Sequence, residues 1–155
     1  MSRRKVSLVI FLIVTFSTIV LLVTGSSILT IAVVENIPLG NFITWAGMIS
    51  LPLSIFLGIN EFRNPSGYWS KFLSWTLKII ILLAVCWVPL SYLLSGNLSF
   101  SFNEKESFQG GQSAMRWFWR LSYGINLGAI LILILYWVSL IIKKVKTVGN
   151  NAYKK

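Results

Sequence analysis

Four apolar runs, each long enough to cross a bilayer as a helix, constrain this chain more than anything else in it. They are Val6–Val34, Phe42–Ile59, Phe72–Leu94 and Leu121–Ile142. A hydrocarbon core about 30 Å thick takes roughly 20 helical residues. Helices satisfy their backbone hydrogen bonds internally, as hydrocarbon demands. Spans are therefore expected at about 6–30, 42–59, 72–94 and 121–142, within a single transmembrane domain over 1–155. The first run would reach about 43 Å as one helix, so it is expected to tilt or to project beyond the core. Arg3-Arg4-Lys5 before Leu8–Val23, then Thr24-Gly25-Ser26, has the layout of a signal peptide. Apolar sequence resumes at Ile28, so an uncleaved span is the expectation.

Composition agrees. Hydrophobic residues make up 55% and charged residues 12%, against about 25% charged in soluble domains. Mean hydropathy is +0.76. A soluble enzyme, a disordered regulator and a disulfide-rich secreted module are excluded. The expected fold is an all-α integral membrane protein, a four-helix transmembrane bundle.

Orientation follows from basic residues, which favour the cytoplasmic side. Eleven of the fourteen Lys and Arg residues fall in three groups. These are Arg3, Arg4 and Lys5; Arg63, Lys71 and Lys78; and Lys143, Lys144, Lys146, Lys154 and Lys155. Both termini are therefore expected inside, with a basic cytoplasmic tail over 143–155 and an extracytoplasmic loop over 95–120. Aromatic belts are expected inside at Trp69, Trp75, Tyr136 and Trp137, and outside at Trp45, Tyr92, Trp117, Trp119 and Tyr123. A net charge of +10 also suits nucleic-acid binding, but here the cations flank apolar runs, so no nucleic-acid partner is expected.

Chemistry is scarce. The chain has no His and no Asp, and its single cysteine is Cys86. Ser-His-Asp and Cys-His arrangements, HExxH zinc sites, paired-aspartate membrane proteases and thiol redox pairs all fall away. Neither a metal nor a cofactor is expected. Cys86 reads as a small packing residue and Lys78 as a snorkelling cation. Pro52 and Pro89 read as kinks, and Asn126 as a hydrogen-bonding partner for a neighbouring helix.

Small residues give a clearer pattern. Ala46, Ser50, Ser54 and Gly58 recur every fourth residue, and Gly124 and Gly128 form a GxxxG pair. Such faces let membrane helices approach closely. They serve packing within the bundle or docking of another subunit.

The segment 95–120 is the expected place for a specific function. Leu98–Phe102 alternates with period two, and Gly110-Gly111 precedes a helical stretch. That stretch places Gln112, Arg116 and Arg120 on one face, and Met115, Phe118, Trp119 and Ser122 on another. Arginines beside Trp117 and Trp119 suit a phosphate or carboxylate. They equally suit interfacial anchoring.

The leading functional expectation is a non-enzymatic protein that binds another membrane component. It would be an accessory subunit or a protective, immunity-type protein, in contact with membrane lipids and with a membrane-protein partner or a second copy. An oligomeric lipid or small-molecule carrier comes second and a membrane enzyme third. No eukaryotic sorting signal is identified, so the expected compartment is a prokaryotic plasma membrane.

Overall fold

A computed structural model describes residues 2–34, 37–96 and 111–152. It is mostly helical. In order, the elements are α1 (Arg3–Thr24), a 3-10 turn (Ser27–Thr30), β1 (Ala32–Val34), β2 (Ile37–Pro38), α2 (Leu39–Gly58), α3 (Asn60–Arg63), α4 (Tyr68–Val85), α5 (Trp87–Ser95) and α6 (Gly111–Ala152). Four helices, α1, α2, α4 and α6, are long and apolar enough to cross a membrane. The alternating stretch Leu98–Phe102 lies outside the described residues.

The first apolar run is not one long helix. Gly25 ends α1 with a left-handed φ of 60°, a conformation that costs glycine no Cβ clash. The amide N–H of Ser26 donates to Leu21 O (3.2 Å), which closes the last turn in the usual manner of a glycine stop. The chain then folds back. β1 and β2 pair antiparallel, Ala32 opposite Pro38. The 22 residues of α1 rise about 33 Å, close to the thickness of a hydrocarbon core.

The third run is also divided, at Cys86, between α4 and α5. Pro89 has no N–H to give the carbonyl four residues back, which belongs to Val85. A residue from another helix replaces the missing donor. The Trp45 indole N–H donates to Ala84 O (3.0 Å) and Val85 O (3.2 Å). Trp45 therefore faces into the bundle rather than forming part of an aromatic belt. Pro52, by contrast, lies buried inside an unbroken α2. The hydroxyls of Ser50 and Ser54 donate to Gly47 O (3.1 Å) and Leu51 O (2.7 Å) on either side of the lost bond.

Helices α2, α4 and α6 pack on one another, α5 packs on α6, and α1 packs chiefly on α2. The shared core includes Met48, Phe62, Leu77, Trp87, Phe118 and Ile125. On α1 the half-buried or buried positions are Ser7, Leu8, Phe11, Val14, Thr15, Thr18 and Leu21. Their three-four spacing makes a narrow seam, and the rest of the helix faces outward.

Candidate functional site

Gly111 starts α6 with a φ of 64°, and the helix then runs without a break. Its first four turns are divided by burial. Ala114, Phe118, Ser122 and Ile125 face the bundle, spaced so that they share one side of a 3.6-residue helix. Phe118 packs on Trp87, with ring centroids 5.9 Å apart. The Trp87 indole N–H donates to Ser122 Oγ (2.8 Å), and that hydroxyl donates to Phe118 O (2.9 Å). Each buried polar atom in this chain of bonds has a partner, so the local burial carries little desolvation penalty.

The remaining residues of the segment face outward. Gln112, Arg116 and Arg120 are exposed, and Trp117 is 60% exposed. The Arg120 guanidinium lies over the Trp117 ring, 5.3 Å from its centroid. Trp119 stacks on Tyr123 (5.6 Å) and meets Phe118 edge-on (5.1 Å). Met115 and Trp119 are exposed, unlike Phe118 and Ser122, so the expected single face of four is divided in two. Gln112, Arg116 and Trp119 lie on one stripe, at spacings of four and three. Arg120 and Trp117 lie roughly a quarter turn or more away. Among the described residues the single ion pair is Lys143–Glu61, so neither arginine is paired with a carboxylate there. Planar donors held beside indole faces can take a phosphate or carboxylate in bidentate fashion.

The small residues are placed unevenly. Ser50 and Ser54 are buried, while Ala46 and Gly58 are exposed. The close crossing of α1 and α2 is at Gly47 instead. A Cβ there would lie 2.9 Å from Thr18 Cβ and Oγ1, and closer to Cγ2. Thr15 Oγ1 and Ser50 Oγ hydrogen-bond across the same seam (2.8 Å), and Thr18 Oγ1 donates to Ile43 O (3.3 Å). On α6, a Cβ at Gly128 would come within 3.0 Å of Ile80 Cδ1, whereas nothing lies within 4 Å at Gly124. Asn126 Nδ2 donates to Ser122 O (3.1 Å). That bond is within its own helix, not to the neighbouring helix expected.

A polar cluster at the opposite end of the bundle has no counterpart in the sequence reading. The Glu61 carboxylate on α3 accepts from the Ser70 hydroxyl on α4 and from Lys143 Nζ on α6 (3.4 Å). Phe62, fully buried, packs on Tyr136 at 5.1 Å, and Ser74 Oγ donates to Phe62 O. The Ser70 bond, followed by the Lys143 bond and charge, outweighs desolvation and holds the Glu61 carboxyl below the usual range. A depressed carboxylate pKa stabilises the fold above the unfolded value, about 4.3, and that contribution disappears as pH falls through the lower folded value. Thermal melts between neutral and acid pH should show this loss. In Glu61→Gln the acid-side slope should flatten, and stability at neutral pH should fall by about 1–2 kcal/mol. An unchanged slope would contradict the role given to Glu61.

No protein-family model, curated protein or solved structure matches the chain.

Proposed function

We propose that this chain is a non-enzymatic multi-pass protein of a prokaryotic plasma membrane that binds another membrane component through the start of α6. It acts as an accessory subunit of a larger assembly or as a protective protein against a membrane-active agent. Both termini are cytoplasmic, and residues 95–120 face outward. The observation that carries the reading is the division of one helix. Ala114 and Phe118 are used by the bundle, while Gln112, Arg116, Trp117 and Arg120 are left on its surface. Arginine and tryptophan are the residue types that dominate binding hot spots. Cations on this side also run against the usual distribution, which favours a specific use for them.

The topology is tested by single cysteines at Ser101→Cys and Val148→Cys in a Cys86→Ala background, probed in intact cells with an impermeant thiol reagent. Labelling is expected at 101 and not at 148, and the reverse would contradict the orientation. Function is tested by placing the photo-cross-linker benzoylphenylalanine at position 117 in native membranes. A discrete adduct is expected from 117 and none from 142, an exposed position near the other end of α6. Lack of an adduct from 117, or the same adduct from both positions, would overturn the proposal.

A further inference from the structure

Two adjoining cavities, of about 230 and 320 Å³, lie in the groove between α1 and α6 and are floored by α2. They share Leu22, Thr44, Met48 and Asn126. Along α6 the groove runs from Phe118 to Ile130. Those helical steps rise about 18 Å, close to the depth of one leaflet of a hydrocarbon core about 30 Å thick. Cavities of about 230 and 320 Å³ are small beside a helix with side chains, and an extended acyl chain suits them.

Gln112, Arg116, Trp119, Tyr123, Asn126 and Ile130 follow one another at alternating spacings of four and three. They form a single stripe, with Arg116 one turn beyond the aromatic rim of the groove. Arg116 only donates hydrogen bonds, as does the Trp119 indole. Thr44 Oγ1, which lines both cavities, is enclosed and has no hydrogen-bond partner among the described residues. A largely apolar groove with a cation one turn beyond its rim suits an amphiphile with an apolar chain and an anionic head. A diacyl phospholipid has both, in its acyl chains and its phosphate.

We infer that the groove between α1 and α6 is a binding site for one anionic diacyl phospholipid of the leaflet on the Gly111 side. An acyl chain lies against Met48, Asn126 and Ile130, and the phosphate meets Arg116. This site goes beyond partner recognition by the start of α6 and shares Arg116 with it.

The test is native mass spectrometry of the purified full chain in mild detergent, with equimolar dioleoyl-phosphatidylglycerol and dioleoyl-phosphatidylcholine. One phosphatidylglycerol should be retained in preference by about fivefold, the worth of a charge-assisted contact. Arg116→Gln should equalise the two lipids. Lys71→Gln, which removes the same charge at the other end of the bundle, should keep the preference. Ile130→Trp fills the groove and should lower retention of both lipids. Ile134→Trp, one turn deeper and exposed outside both cavities, should not. Equal retention of the two lipids by the unaltered chain, or equal losses in Arg116→Gln and Lys71→Gln, would reduce the site to ordinary annular lipid and overturn the inference. So would equal losses in the two tryptophan variants. A lost lipid preference with the position 117 adduct intact overturns this inference alone. A lost adduct with the preference intact overturns the proposed function alone.

Discussion

Gly47→Leu is expected to free α1 from the rest of the bundle. The position has no room for a side chain, because even a Cβ would overlap Thr18. α1 also has little else to hold it, since its packing is chiefly on α2. Overpacking a fitted contact costs about 1–3 kcal/mol. For a chain of this size that corresponds to roughly 2–12 °C in melting temperature. A proximity measurement separates detachment from general destabilisation. Thr15→Cys with Ser50→Cys, in a Cys86→Ala background, should cross-link readily, because the native hydroxyl oxygens are 2.8 Å apart. Adding Gly47→Leu should abolish that cross-link. If both the cross-link and the melting temperature survive, α1 does not cross α2 at this point.

Trp87→Ala should be the most damaging single truncation at the Gly111 end of the bundle. The side chain is 1% exposed, packs on Phe118 and donates to Ser122. Truncating a buried tryptophan costs about 3–5 kcal/mol in soluble cores. A lipid-solvated reference state removes part of the transfer term, because lipid tails are as apolar as the core. About 3 kcal/mol is therefore expected from the cavity and lost contacts. Trp87→Phe keeps a ring but not the N–H. Ser122 Oγ still bonds Phe118 O in that variant, so its cost should be nearer 1 kcal/mol. Unfolding in mixed micelles measures both. Equal stabilities for Trp87→Ala and the unaltered chain would contradict the packing described for the start of α6.

These sites illustrate which features can be read from one sequence. Helix number was legible because hydrocarbon leaves few ways to bury a long apolar run. Helix ends were less so. The Thr24-Gly25-Ser26 patch reads as a dip within an apolar run, but a single left-handed glycine ends α1 there. The break at Cys86 depends on Pro89, and also on an indole more than forty residues earlier that bonds the exposed carbonyls. No local pattern announces that pair. The small-residue stripe was half informative. Ser50 and Ser54 are buried, but the close approach is at Gly47, which is out of phase with a strict four-residue repeat. Its partner is a threonine on another helix. At the candidate site, Gln112, Arg116 and Arg120 follow from helical spacing, as does their separation from Phe118. The contact of the Arg120 guanidinium with the Trp117 ring does not, because spacing alone does not set which way a long side chain leans. The Glu61 cluster joins residues 61, 70 and 143, and such long-range polar pairs have no periodicity to find.

Guanidinium geometry at the start of α6 is the central claim, and one comparison tests it most directly. Arg116→Lys combined with Arg120→Lys keeps both positive charges but removes the planar bidentate donors. Interfacial anchoring should survive that change. Specific recognition should weaken by about 1–3 kcal/mol, the worth of charged hydrogen bonds. At matched membrane abundance, the adduct recovered from benzoylphenylalanine at position 117 should therefore fall about tenfold in the double-lysine variant. It should fall at least as far in Arg116→Gln combined with Arg120→Gln. Full adduct recovery in both variants would show that the arginines only anchor the helix, and would contradict the account.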